Sequence, residues 1–291
     1  MEKNKDVLRK EGLGVCAISY DSREILRGFA ERSRITIPLL TDPGSEIIRA
    51  FGILNTTIPP DQMAFGIPYP GSYLVDEKGI VVAKYFEDDY RDRYSIGTIL
   101  VRQFGSPLNT RQTTLEHKHL SLKYYASTDT AYPGSRISLV VEIQLKDKVH
   151  LYAPGAQGYR PVKLTLKPSA GLVPHPVSYP QSRSLFLSAI REKVPVYEGG
   201  IQLIQDVTVT AGQPSLARAL GSSAELVIEG NLQYQACDDK MCYLPQVVPL
   251  RWVIRIQELD KQRAPEPLRR NSQMKNPLLG EVSGNGLPEL R

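Results

Sequence analysis

The chain has 291 residues, of which 41% are hydrophobic and 23% charged, and its formal net charge is +5. This composition is that of an ordinary globular protein with room for two domains. The charges form no dense basic stretch and no apolar run approaches the ~18 residues of a membrane span. We therefore expect neither a nucleic-acid partner nor a direct membrane span, and the charged start at 1–6 predicts no signal peptide.

Strands and helices alternate in the first part of the chain. Asp21 or Ser22 is a helix cap, and Asp42-Pro-Gly-Ser-Glu46 opens another helix with a cap, a proline and an acid. The predicted helices are at 2–11, 43–51 and 92–104, with a further one that starts at 21 or 22 and has Ile25, Leu26 and Phe29 on one face. The predicted strands are at 13–19, 37–40, 72–75 and 80–85, the last two joined as a hairpin. This alternation is typical of an α/β domain, which we place at 1–105.

Cys16 lies in the first of these predicted strands, between Val15 and Ala17. Free cysteine is among the most buried residue types. We therefore expect Cys16 to be an inert thiol of the core.

Short strands dominate the second part of the chain. A polar linker at 106–116 precedes them, and the alternation of apolar residues is clearest at 137–145. Repeated strands with turn signals predict an antiparallel β-sandwich at 117–257. The remainder, 258–291, has little apolar periodicity and is predicted to be disordered.

Two of the three cysteines, Cys237 and Cys242, lie between two strongly alternating strands. A short polar link makes an antiparallel hairpin the simplest arrangement, with the cysteines facing each other at a separation that suits a disulfide. Alternation puts Cys237 on the face of Gln233 and Gln235, the wetter one. This favours Cys237, weakly, as the attacking cysteine.

Three interpretations of this pair remain open on chemistry alone. A structural disulfide closing so short a loop removes only about 2 kcal/mol of chain entropy. A zinc site needs further ligands, and the histidines show no metal spacing relative to the pair; they are His117, His119, His150 and His175. Disulfide exchange needs an accessible sulfur and a partner thiolate. We expect no metal and no other cofactor.

The first part of the chain resembles the redoxin family, which includes AhpC/TSA peroxiredoxins and TlpA-like thioredoxins. The matching segments are Ala17-Ile-Ser-Tyr-Asp-Ser22, Pro38-Leu-Leu-Thr-Asp42, Phe51-Gly52 and Pro70-Gly-Ser-Tyr-Leu-Val-Asp76. The resemblance implies a thioredoxin-like fold, here without the strand–helix unit that carries the family's catalytic cysteine. It also places Pro70 where thioredoxin-like proteins have a cis-proline, which makes Pro70 a candidate site residue.

The second part resembles the N-terminal periplasmic domain of the thiol:disulfide interchange protein DsbD. The matching segments are His150-Leu-Tyr-Ala-Pro154, Tyr159-Arg-Pro161, Tyr197-Glu-Gly199 and the run from Tyr234 to Gln246. The resemblance implies an immunoglobulin-like sandwich whose redox pair corresponds to Cys237 and Cys242. It adds Tyr152, Tyr197 and Tyr234 as supporting residues, with a protective cap loop near Val196 and Tyr197.

The leading hypothesis is therefore a thiol–disulfide oxidoreductase of the cell envelope or periplasm, with a thiol–disulfide partner protein. One alternative is a peroxide reductase whose catalytic cysteine is missing from this chain. Another is a non-catalytic interaction module in which a short disulfide pins the hairpin. The sequence leaves the partner, the redox direction and the oligomeric state open.

Overall fold

The structure is a computed structural model that describes residues 1–258 except 63–64, 88, 90, 109, 188–190, 211–223 and 239. It contains two compact units, Met1–Pro70 and Gly71–Leu259. The predicted disordered tail at 258–291 lies almost wholly outside the described residues. The predicted domain limits themselves, 1–105, 106–116 and 117–257, remain a prediction.

The first unit alternates short helices and strands, as predicted. Its elements are a 3-10 helix Glu2–Asn4, α1 Lys5–Lys10, β1 Ala17–Ser19, α2 Arg23–Ser33, β2 Leu39–Thr41 and α3 Glu46–Ala50. β1 and β2 pair in parallel. The Oγ of Ser22 caps α2 by accepting from the amide of Ile25, and the carboxylate of Asp42 accepts from the amides of Glu46 and Ile48.

The prediction for Cys16 is wrong, because this thiol is exposed. Cys16 precedes β1 instead of lying within it. Within the described residues β1 pairs with β2 alone, and even its central Ile18 is 38% exposed. A strand with so little cover leaves the residue before it accessible to solvent.

The second unit begins with the predicted hairpin, β3 Gly71–Val75 and β4 Val81–Phe86. The predicted helix from 92 starts later, as α4 Ile96–Phe104. Residues Arg93–Tyr94 form the short strand β5 instead, which pairs with β9, and Ser95 caps α4. The sequence predicts 71–104 as part of the first domain. These residues join the second unit because β5 extends its largest sheet and α4 packs on that sheet.

The remaining strands confirm that the second part of the chain is mostly β. They are β6 Gln112–Glu116, β7 Leu120–Ala126, β8 Thr130–Ala131, β9 Ser135–Leu145, β10 His150–Tyr152, β11 Lys163–Leu166, β12 Leu172–Ser178, β13 Arg183–Leu187, β14 Glu192–Glu198, β15 Gly200–Val209, β16 Glu225–Tyr234, β17 Ala236–Cys237 and β18 Gln246–Ile256. Residues 112–116, which the sequence analysis places in the linker, form the edge strand β6, which pairs with β7.

Three sheets result, and two of them enclose the main core. One has the order β12-β15-β9-β7-β6, the second β11-β16-β18-β8, and the third β13-β14-β10-β17. The alternating side chains of β9 and β18, among them Leu139 and Trp252, meet in a single cluster. Two sheets that share one apolar interior are consistent with the predicted sandwich.

The outer face of the largest sheet is also covered, which simple alternation along a strand does not predict. α4 packs Val101 against Tyr125 and Val140, so that residues 137–141 of β9 are buried on both faces. Beneath α4, the carboxylate of Asp206 binds the guanidinium groups of Arg102 and Arg136.

Candidate functional site: a disulfide between core and surface

The two cysteines lie at the end of the predicted hairpin. β16 and β18 pair antiparallel as far as Tyr234 and Gln246. Beyond that pair, Cys237 and Cys242 face each other as an isolated antiparallel bridge, with their Cα atoms 4.0 Å apart and their Sγ atoms bonded at 2.08 Å. The hairpin and the pairing of its cysteines therefore form as the alternation predicts.

Cys237 is buried, with 1% of its surface exposed. β17 leaves the hairpin and pairs with β10, so that Cys237 lies opposite His150. Its sulfur-bearing side chain packs with an apolar cluster that is separate from the main core and includes Tyr152, Val194 and Val196. The predicted wetter face is therefore wrong for Cys237. Cys237 lies on the predicted side of its strand, but residues distant in sequence cover that side.

Cys242 is the exposed member of the pair. The hydroxyl of Tyr152 lies 3.5 Å from its Sγ, close enough for a weak hydrogen bond. Burial raises the pKa of Tyr152, so this hydroxyl keeps its proton at neutral pH. The tyrosine is therefore a donor beside the exposed cysteine of the pair. The wetter face on which the preference for Cys237 as the attacking cysteine depended is not found, and the question of which cysteine attacks first stays a prediction.

Aromatic rings form the wall beside the disulfide. Tyr159 stacks on Tyr152 with ring centroids 4.1 Å apart, and His150 contacts Tyr152 edge to face at 5.6 Å. Tyr159 follows a glycine-rich turn between β10 and β11 and is half-buried. Tyr159 belongs to one of the segments that carry the family resemblance, but it is not among the predicted site residues.

The turn between the cysteines is organised by Asp238. Its carboxylate accepts hydrogen bonds from the amides of Lys240 and Met241, at 2.8 and 2.9 Å, and from the hydroxyl of Tyr243 at 2.5 Å. These bonds, first of all that from Tyr243, lower the pKa of Asp238 to about 2. Asp238 therefore stays ionised at neutral pH, next to the exposed cysteine.

Tyr243 links this turn to another part of the unit. Its ring stacks on that of His119, with centroids 3.9 Å apart, and the Nζ of Lys118 lies 5.3 Å from the ring centre. Burial, followed by the charges of Lys118 and Lys146, lowers the pKa of His119. The sequence marks His119 only by its residue type, as a possible metal ligand, and carries no signal for its contact with Tyr243.

The other predicted supporting residues lie elsewhere. Tyr197 and Tyr234 are both buried in the main core, and the hydroxyl of Tyr197 donates to the carbonyl oxygen of Pro180 at 2.9 Å. Val196, proposed for the cap, packs in the cluster around Cys237. Pro70 belongs to the first unit, and the peptide bonds of the described residues are all trans. The catalytic roles of all these residues remain predictions.

Exposed apolar side chains lie close to Cys242 along the chain. Met241 is 58% exposed, Leu244 82% and Val247 60%.

Within the described part of the chain, no helix is long and apolar enough to cross a membrane. No three His, Cys, Asp or Glu side chains among the described residues gather into a possible metal site.

Comparisons with known proteins divide the chain in two. Residues 1–84 match the AhpC/TSA family, and residues 123–249 match the family described as thiol:disulfide interchange protein DsbD, N-terminal. Escherichia coli peroxiredoxin Bcp is 30% identical over 95 residues, which are 31% of this chain and 56% of Bcp. A peroxiredoxin-like protein of Mycobacterium tuberculosis is 37% identical over 79 residues, 25% of this chain and 47% of its own length. The chain thus spans about half the length of the curated relatives it matches.

Two solved structures are similar to about half of the chain. The N-terminal periplasmic domain of ScsB from Proteus mirabilis has 15% identity and a TM-score of 0.34, covering 50% of this chain and 51% of that one. The reduced N-terminal domain of Neisseria meningitidis DsbD has 15% identity and a TM-score of 0.29, covering 44% and 80%. On the two family matches, the chain joins a segment similar to AhpC/TSA proteins to a segment similar to the N-terminal domain of DsbD.

Proposed function

We propose that the chain carries out thiol–disulfide exchange through Cys237 and Cys242. The observation that carries this proposal is the unequal exposure of the two cysteines: Cys242 is an exposed residue, whereas Cys237 is 1% exposed. Exchange requires one sulfur that a partner can reach and a second that stays close without competing for the partner. A disulfide that serves only as a staple has no need of this asymmetry.

The exchange starts at the accessible sulfur. A thiolate of the partner attacks the Sγ of Cys242, the bond to Cys237 breaks, and its electron pair leaves on the Sγ of Cys237. The partner's second thiolate then attacks the partner sulfur of this mixed disulfide and releases Cys242 as a thiolate. The partner is oxidised to a disulfide and this chain is reduced to a dithiol. The opposite direction passes through the same intermediate.

Neighbouring groups support these steps. The hydroxyl of Tyr152 is placed to donate to Cys242 while that sulfur carries negative charge. The apolar cluster around Cys237 keeps the second sulfur away from solvent until the mixed disulfide has formed. With the family resemblance, we further propose an immunoglobulin-like sandwich, a thioredoxin-like first domain and a periplasmic location, where oxidised thiols persist.

The test compares the two thiols one at a time. Because Cys16 is exposed, both variants carry Cys16→Ser; one adds Cys237→Ser and the other Cys242→Ser. We expect a chromogenic aromatic disulfide to react with the remaining thiol at least about tenfold faster when that thiol is Cys242. When both variants are unfolded in denaturant, the two thiols should react at the same rate. Equal rates in the folded variants would refute the assignment of Cys242 as the sulfur at which exchange starts.

The alternatives make different predictions. If the disulfide is only structural, its potential against glutathione lies below about −300 mV; exchange predicts a less negative value. The peroxidase alternative rests on the partial AhpC/TSA match and needs a catalytic cysteine other than this pair. We therefore expect the reduced chain to consume hydrogen peroxide no faster with Cys237 and Cys242 than when both are replaced by serine.

A further inference from the structure

The turn that carries Cys242 is held in place by bonds that do not involve sulfur. The amide of Asp238 donates to the carbonyl of Met241 at 3.0 Å, and the amide of Tyr243 donates to the carbonyl of Ala236 at 2.8 Å. Together with the carboxylate bonds of Asp238, these contacts hold the two cysteines opposite each other. The closed form of the turn is thus supported independently of the disulfide.

The same turn is also anchored from outside. Tyr243 donates to Asp238 and, through its ring, stacks on His119. His119 lies in the turn between β6 and β7, more than a hundred residues away along the chain. One side chain therefore joins the cysteine turn to a turn of the largest sheet.

We propose that Asp238 and Tyr243, supported by His119, are positioning residues that set the reduction potential of the disulfide. The proposal rests on the exchange function proposed above, and it concerns the dithiol form. When the sulfur–sulfur bond is broken, the contacts of Asp238 and Tyr243 keep Cys242 beside Cys237. A dithiol held in this geometry closes its disulfide at a high effective concentration.

The coupling works in both directions. A contact that increases the fraction of dithiol molecules with Cys242 beside Cys237 raises the equilibrium constant for disulfide formation by the same factor. Formation of the disulfide in turn stabilises that contact by the same free energy. Loss of the Tyr243 hydroxyl removes a hydrogen bond to a charged acceptor, which is among the stronger kinds in proteins. We expect this loss to open the reduced turn without breaking either core cluster.

The experiment measures the equilibrium with a glutathione buffer in the Cys16→Ser background. We expect Tyr243→Phe to lower the equilibrium constant for forming the disulfide about tenfold, which makes the potential less negative by about 30 mV. Asp238→Asn should shift it in the same direction, and His119→Ala should do so to a smaller extent. The matched control is Tyr132→Phe, at an exposed tyrosine in the turn between β8 and β9, and it should leave the potential unchanged.

Stability of the reduced proteins is measured in parallel through the fluorescence of Trp252, the single tryptophan. A residue that only stabilises the fold would change the unfolding transition without moving the potential. Unchanged potentials in both Tyr243→Phe and Asp238→Asn would overturn the proposal; if one variant does not fold, the other decides. Because the relative reactivity of Cys242 is measured separately, failure of this proposal is distinguishable from failure of the exchange function.

Discussion

The contact between α4 and the largest sheet offers a sharp test of how the second unit is held together. Asp206 lies on β15 with its side chain 1% exposed. It binds the Nη2 of Arg102 at 2.8 Å, the Nε of Arg136 at 3.1 Å and the hydroxyl of Ser138 at 2.7 Å. Arg136 in turn binds Glu87 at 2.7 Å. The buried carboxylate on β15 thus binds residues of α4 and β9, and Arg136 extends the network to Glu87 after β4.

Replacing Asp206 with asparagine keeps its shape and removes its charge. Removing one partner of a buried ion pair costs about 3–5 kcal/mol, because the remaining charge is left without compensation. The lower end of this range applies here, because the side chain of Arg102 is 28% exposed and Arg136 retains its ion pair with Glu87. We expect a loss of about 3 kcal/mol, which for a unit of this size lowers the melting temperature by about 6–12 °C.

The assay is denaturant unfolding followed by Trp252, which is 3% exposed in the main core. The matched control is Glu229→Gln, which breaks an exposed ion pair with Lys167 and should cost less than about 0.5 kcal/mol. Hydrogen exchange of the α4 amides shows whether the helix is released before the sheets unfold. If Asp206→Asn costs no more than the control, the network does not hold α4 on the sheet and the reasoning fails.

Three further results are expected. Gly97→Ala should destabilise the second unit by about 2–3 kcal/mol in the same unfolding assay, because its Cβ would lie 1.9 Å from the carbonyl oxygen of Ser127. Leu139→Ala, at a fully buried position, should cost about 2–5 kcal/mol. In a carbon-detected NMR titration the Asp238 carboxyl should have a pKa of about 2. The ionised carboxylate therefore stabilises the turn fully at pH values above its usual pKa of 3.8, and this stabilisation is lost as the pH falls towards 2. Tyr243→Phe should move that pKa back towards 3.8.

The sequence predicts those features that depend on neighbours along the chain. The alternation around 137–145 locates β9, and the alternation on both sides of Cys237 and Cys242 locates the hairpin and pairs the cysteines. The helix cap Ser22 is likewise a local signal, because its side chain bonds an amide three residues away. These interactions need no knowledge of the rest of the fold.

What the sequence does not predict depends on contacts between distant segments. Alternation tells on which side of a strand Cys237 lies, but not that Tyr152 and Val196 cover that side. The stacking of His119 on Tyr243 brings together two turns, and no periodic pattern marks either of them. For the same reason, a helical pattern at 96–104 cannot show which sheet α4 packs on. The exposed thiol of Cys16 is a similar case, because burial depends on the neighbours that a strand finds.

The asymmetry of the disulfide follows from a change of sheet within a few residues. Tyr234 pairs with Gln246 in one sheet, whereas Cys237 pairs with His150 in another. At this crossing both sides of the strand are covered, so Ala236 faces the main core and Cys237 the second cluster. Cys242 lies outside the named strands, between β17 and β18, and is exposed. An accessible sulfur bonded to a protected one thus results from the topology of the strands, and any substitution that moves β17 away from β10 should expose Cys237 and abolish the difference in reactivity.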